Sequence, residues 1–161
     1  MKIRHAELKD LDELASIEKE SYPPLEGAGY DSIKGRLKHF SNYFWILEND
    51  DGKIVSFING FVTNEKNLLD EMYDHPEMHD SSGKWQMIFS VVTAPDERGK
   101  GYASAVMAKV IEDAKKEGRD GIVLTCKDKL IKFYSKFGFK NEGFLGSTHG
   151  NVTWNQMRLT F

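Results

Sequence analysis

Two stretches of this 161-residue chain carry residue types at spacings that could do chemistry. The first, Arg98-Gly99-Lys100-Gly101-Tyr102-Ala103, sits where the most apolar run of the chain, Trp85 to Thr93, hands over to a helical pattern. Glycines there let the backbone turn tightly and leave several N–H groups beside the positive end of a helix, an arrangement that holds a phosphate or pyrophosphate. Arg98 and Lys100 add positive charge at the same place. The spacing is neither a P-loop, which needs G-x-x-x-x-G-K-[ST], nor a dinucleotide fingerprint, whose third Gly or Ala would fall on Ser104. The second stretch, Thr125 to Phe139, follows an apolar strand and carries a thiol, Cys126, and a phenol, Tyr134. Cys126 is the only cysteine, which excludes an internal disulfide framework and a multi-thiolate metal site and suits a reducing compartment.

Arg98, Gly101 and Ala103 satisfy R/Q-x-x-G-x-G/A, and this loop resembles the pyrophosphate loop of the GNAT superfamily of N-acetyltransferases. The run Phe133-Tyr134-Ser135-Lys136-Phe137-Gly138-Phe139 is similar to the recurrent end of the segment that follows the second strand of that family's βαβ unit. Within the superfamily the chain is most similar to the arylalkylamine (serotonin) N-acetyltransferases. Tyr22-Pro23-Pro24 with the loop to Tyr30, Asn64-Glu65 before Asp70-Glu71, and the tail Val152 to Met157 occur in that branch's order.

The resemblance implies an α/β GNAT fold in one domain over residues 1–161, its mixed, mostly antiparallel sheet splayed at a central parallel βαβ unit, with helices on both faces. It implies acetyl-CoA as cosubstrate and no metal. Val91, Val92 and Thr93 would hydrogen-bond the pantetheine, and Arg98, Gly99, Lys100, Gly101, Tyr102 and Ala103 would grip the pyrophosphate. Thr125 and Cys126 would line the acceptor pocket, and the Tyr134 hydroxyl would face the coenzyme A sulfur as general acid. Two histidines of the vertebrate arylalkylamine enzymes are replaced here by Trp85 and Met87, neither of which takes a proton, so the general base is open. His75, His79, Asp80, Glu71, His149 and a water chain are the alternatives.

The elements that must position these groups follow from local pattern. Lys2 to Ala6 alternates as a strand, and Asp10 can cap a helix burying Leu11, Leu14, Ala15 and Ile17, stopped by Pro23-Pro24. Tyr30-Asp31 opens a second helix through Ile33 and Leu37. Tyr43 to Leu47 and Lys53 to Val62 read as strands joined at Asp51-Gly52. Leu68 to Tyr73 reads as a short helical turn and Pro76 to Gly83 as loop. The uncharged run Trp85 to Thr93 reads as one central strand. A helix through Val106, Val110, Ile111 and Ala114 ends at Gly118, and Gly121 to Cys126 returns as a parallel strand, completing a βαβ unit. Lys129 to Phe137 is a last helix, with Phe133 and Phe137 better core candidates than Tyr134. Strands at 139–146 and 152–161 close the domain.

An alkylamine with the pKa of Lys, about 10.4, leaves only roughly one molecule in two thousand neutral at pH 7, so the enzyme must remove a proton before the amine attacks the thioester. Cys126 is not expected as nucleophile, because transfer in this superfamily is direct, within a ternary complex. The acceptor pocket is expected from Pro23 to Tyr30 and from Tyr73 to Gly83.

Charge is divided along the chain. Glu48 to Asp80 holds nine acidic and two basic residues, and Arg98 to Lys140 holds eleven basic and five acidic. The total is -3, which argues against a protein that coats nucleic acid. No signal peptide or membrane-length apolar run is present in the sequence, so a cytoplasmic protein is expected. Partners are then acetyl-CoA and a small amine, with a homodimer admitted and nucleic acid and membrane excluded. A coenzyme A sensor or scaffold without turnover, and an acetyltransferase acting on peptide or protein amines, are the rival readings.

Overall fold

A computed structural model describes residues 1–22, 27–144 and 154–161. Strand β1 (Lys2–His5) leads into helix α1 (Leu11–Ser21), whose apolar stripe Leu11, Leu14 and Ile17 is buried. Asp10 does not cap that helix through its side chain. Its carboxylate instead takes both terminal nitrogens of Arg4, at 2.9 Å each, and the Glu7 N–H at 2.8 Å. Helix α2 (Tyr30–Phe40) buries Ile33, Leu37 and Phe40, and β2 (Phe44–Glu48) is joined through Gly52, at φ +79°, to β3 (Ile54–Asn59).

Two runs that alternation presents as single strands are each broken in two. Lys53 to Val62 becomes β3 and β4 (Val62–Thr63), and Trp85 to Thr93 becomes β5 (Trp85–Ile88) and β6 (Ser90–Thr93). The halves belong to different sheets. One runs β1-β2-β3-β6, all antiparallel. The other includes β7 (Gly121–Cys126), β8 (Lys140–Phe144) and β9 (Asn155–Thr160) in the order β4-β5-β7-β9-β8, parallel only between β5 and β7. The physical reason lies at Gly60, where a Cβ would sit 1.7 Å from the Met87 carbonyl oxygen. Only a glycine lets the two chains cross so closely, while Met87 N–H to Phe61 O (2.8 Å) and Phe89 N–H to Asn59 O (2.7 Å) hold the bend.

Helix α3 (Tyr102–Lys116) links β6 to β7 and ends before Gly118, at φ +76°. It packs Val106, Met107, Val110 and Ala114 against one face of the sheets, and α1 and α2 pack a second core against the other, around Phe44, Ile46, Phe57 and Val92. The last helix is shorter than its pattern: a 3-10 turn, Asp128–Leu130, precedes α4 (Ile131–Ser135). Within it the burial order is reversed from expectation, for Tyr134 is 5% exposed whereas Phe133 and Phe137 are only partly buried. No described helix is long and apolar enough to cross a membrane.

The consequence for function is the parting of β6 from β7. Because β6 pairs with β3 and β7 with β5, the two walls diverge after Phe89 and leave a cleft between them.

Candidate functional site

That cleft holds a cavity of about 620 Å³, within the range that encloses a small-molecule ligand. One wall is β6 with Val91, Val92 and Thr93, and the other is the end of β7 with Leu124, Thr125 and Cys126. As an edge strand, β6 has backbone groups that no further strand pairs. The Tyr22 hydroxyl donates to one of them, the Val91 carbonyl, at 3.0 Å.

At the mouth lies the glycine turn. Gly99 (φ +79°) and Gly101 (φ +82°) adopt the left-handed conformation, and Gly101 precedes α3 without any side-chain cap on the helix. The first N–H groups of α3 have no intrahelical acceptor and carry the positive end of the helix dipole. Arg98, Gly99 and Ala103 line the cavity, whereas Lys100, Gly101 and Tyr102 stand outside its lining. Lys100 is turned to Glu97 at 2.9 Å, and Arg98 donates through Nε to the Thr93 carbonyl at 3.3 Å.

Three phenols, Tyr22, Tyr73 and Tyr134, and the Cys126 thiol also line the cavity. The Tyr134 ring meets Phe133 and Phe139 edge-on, at 5.0 and 6.0 Å between centroids. Its hydroxyl has no hydrogen-bond partner among the described residues. Burial, with Tyr22, Cys126 and Tyr73 nearby, holds its pKa well above the ordinary 10. Tyr134 is therefore protonated at neutral pH, a donor waiting for an acceptor. The Tyr73 hydroxyl shares a 2.8 Å hydrogen bond with Thr125 Oγ1, and burial pushes it up to about 12. Cys126 is buried, its thiol 3.5 Å from the Met157 sulfur, and burial followed by Asp128 pushes it up to about 11. A thiol raised this far offers little thiolate for attack at neutral pH.

The deep end was not anticipated from sequence. Glu18 of α1, 1% exposed, and Arg36 of α2, 4% exposed, both line the cavity with Ser90, Tyr73 and Asp74. Arg36 Nη1 donates to Asn59 Oδ1 (3.0 Å) and Ser90 Oγ (3.1 Å), and its guanidinium lies 5.2 Å from the Phe89 ring centre. Glu18 Oε1 and Arg36 Nε have no hydrogen-bond partner among the described residues. A signal did exist: Glu18 continues the Leu11-Leu14 stripe and Arg36 sits between Ile33 and Leu37, charged residues on faces that should be apolar.

The two stretches expected to form an acceptor pocket line the cavity only in part. Gly27, Ala28 and Gly29 line the cavity, and so do Tyr73 and Asp74, but not the stretch from His75 to Gly83. His75 is exposed and paired with Glu77. His79 packs beside Phe40, Tyr43 and Phe61, and its Nδ1 accepts the Val62 N–H at 3.1 Å. Asp80 accepts from Ser82, and Glu71 is exposed. His149 and Pro23 to Glu26 lie outside the described residues. Trp85 and Met87 are buried away from the cavity, Trp85 beneath the Arg158 guanidinium at 4.7 Å. Among the described residues no group of His, Cys, Asp and Glu could hold a metal ion.

A family model described as the acetyltransferase (GNAT) family matches residues 11–139. An uncharacterized N-acetyltransferase of Methanocaldococcus jannaschii is 28% identical over 152 residues, covering 87% of this chain and 61% of the relative. The serotonin N-acetyltransferase of Mesocricetus auratus is more distant, 24% identical over 112 residues, with 69% and 53% covered. The chain thus spans between half and two thirds of the length of these relatives. Among solved structures, a GNAT-like decarboxylase in complex with isobutyryl-CoA superposes with a TM-score of 0.84 at 17% identity, covering 99% of both chains, a likeness of fold.

Proposed function

Since the chain belongs to the acetyltransferase (GNAT) family, we propose that it transfers the acetyl group of acetyl-CoA to a primary amine of a small molecule, arylalkylamines included, by direct attack within a ternary complex. The observation that carries this reading is the Tyr134 hydroxyl, protonated, without a hydrogen-bond partner among the described residues, and bordering the same cavity as the Arg98 turn and the β6 edge. The pyrophosphate would rest on the N-terminus of α3 with Arg98 beside it, and the pantetheine would run along Val91 to Thr93. The thioester then lies between β6 and β7. Attack by the neutral amine forms a tetrahedral oxyanion, its collapse breaks the C–S bond, and Tyr134 donates a proton to the departing thiolate. Thr125 and Cys126 line the acceptor side with Tyr22, Tyr73 and Phe89, whose rings suit an apolar or aromatic body. Asp74 supplies negative charge for a cationic amine. The lone reduced thiol suits a cytoplasmic setting.

The test is free-thiol release from acetyl-CoA in the presence of aryl and alkyl amines, amino acids, polyamines and peptides. Turnover with small amines is expected. Tight acetyl-CoA binding without turnover on any of them would make the chain a coenzyme A sensor instead.

A further inference from the structure

A reaction that begins with an ammonium group needs a proton acceptor inside the cavity, and the histidines and acidic residues expected from the chain between Glu71 and Asp80 do not line it. Among the described residues that do line it, two carry carboxylates, Glu18 and Asp74, and Asp74 is exposed. We propose that Glu18 takes the proton from the acceptor amine, a role that rests on the acetyl-transfer reading above.

Glu18 is set apart by how incompletely it is satisfied. It lies on the buried stripe of α1, and a carboxylate there loses nearly all its hydration. A structural role would close it onto a cation, because a buried charge without a partner is costly. Arg36 is the cation at hand, yet it forms no ion pair with Glu18 and spends Nη1 on Asn59 and Ser90. Glu18 Oε2 accepts one long hydrogen bond, 3.4 Å from the Ala28 N–H, the Ser90 hydroxyl stands beside the carboxylate, and Oε1 has no hydrogen-bond partner within 3.5 Å among the described residues. Two charged groups at the end of one cavity, each with an unsatisfied polar atom, leave hydrogen-bonding capacity for a ligand or its water.

The surroundings also set its basicity. Burial raises the Glu18 pKa, opposed by Arg36, the Ala28 N–H and Ser90. A carboxylate whose pKa is raised is a stronger base than an ordinary one. The other titratable groups around it are Tyr22 on the next turn of its own chain, Tyr73 and Asp74 from the turn after β4, and Cys126 and Tyr134 across the cavity. β6 itself contributes none. The turn Pro95–Glu97 also packs on α1, but its Asp96 and Glu97 gather with Glu13 and Glu20 around a separate hollow.

The steps balance. One ammonium proton passes to the Glu18 carboxylate, and the freed lone pair attacks the carbonyl carbon. The C–S bond breaks, the thiolate takes the Tyr134 proton, and the phenolate recovers one from the nitrogen that has become an amide. Glu18 returns its proton to water, so each turnover releases one.

The experiment compares the pH dependence of kcat/KM for the wild type, Glu18→Gln and Glu18→Asp, on the best amine of the panel. Wild-type kcat/KM should rise through the Glu18 ionisation and then level off, because the bound ammonium is deprotonated in place. Glu18→Gln should lose about 100-fold near pH 7, the low end for a general base. Its rate should instead climb about tenfold per pH unit toward the amine's own pKa, since only free neutral amine then reacts. Glu18→Asp should keep the wild-type shape at lower turnover. Acetyl-CoA affinity and melting temperature report folding independently, and Gln removes a buried charge, so neither should fall. An unchanged pH profile and turnover in Glu18→Gln overturns the base and leaves the transfer reading standing. A wild-type protein that acetylates nothing in the panel overturns both.

Discussion

Tyr134→Phe removes one oxygen and leaves the ring contacts with Phe133 and Phe139 in place, so it separates chemistry from packing. The lost hydroxyl has no hydrogen-bond partner among the described residues, and taking away a buried polar group that is not hydrogen-bonded is neutral or stabilising. Stability should therefore stay level or rise by up to about 1 kcal/mol, which in a chain of this size lifts the melting temperature by up to roughly 4 °C. Activity should move the other way. A general acid contributes about 10² to 10⁴ in rate, and the low end applies here. The departing thiol has a pKa near an ordinary thiol's, about 8.5, and is a fair leaving group unaided. Tyr134, held well above 10, is also a weak acid for it. A fall of about 100-fold in kcat, or about 2.7 kcal/mol of barrier, is expected, with the KM for acetyl-CoA unchanged. The assay is thiol release with a chromogenic thiol reagent, beside thermal unfolding of both proteins. Unchanged kcat would refute the acid role. A lower melting temperature would show that the hydroxyl has a structural partner after all.

Other replacements probe the remaining parts. Arg98→Ala removes an exposed cation beside the helix terminus and should weaken acetyl-CoA binding about tenfold by calorimetry, with a shallower salt dependence than the wild type and no loss of stability. Cys126→Ala should leave initial-rate patterns sequential and kcat within about threefold, because the thiol, at about 11, is ionised in roughly one molecule in ten thousand at pH 7. Ping-pong patterns in the wild type that vanish in the variant would contradict this. Asp10→Asn breaks the forked pair with Arg4 and should cost about 2 kcal/mol at pH 7, read from denaturant unfolding. Burial alone would raise the Asp10 pKa, but Arg4 and the Glu7 N–H outweigh it and the net shift is downward. A depressed carboxylate stabilises the fold above its unfolded pKa, near 3.9, and loses that as pH falls through the folded value. The gap between wild type and variant should therefore close in acid.

The upward shifts of Glu18 and Tyr134 share one cause, burial at the cavity between β6 and β7. That cavity exists because two strands change sheet at the same place. Phe89 is one pivot, where β5 gives way to β6, and Gly60 is the other, where β3 gives way to β4. Asn59-Gly60 marks one break locally, but nothing in Trp85 to Thr93 marks the other, and both sides of each break are apolar and β-forming.

What the amino-acid order alone determined is whatever rests on neighbours in the chain. The helix faces of α1, α2 and α3, the parallel unit through β7, the left-handed glycines at 99, 101 and 118, and the family itself were legible because periodicity and turn chemistry are local. Tertiary structure decided what depends on residues far apart in sequence. It split two apparent strands, shortened the last helix, and buried Tyr134 in preference to Phe133 and Phe137. It also drew His79 under three aromatic rings and away from the cavity. Its largest effect was to bring Glu18 from the first helix and Arg36 from the second to the cavity that Tyr134 borders. Burial and electrostatic coupling act through space, so a glutamate that reads as a flaw in an apolar stripe acquires its chemistry only when the sheet opens above it.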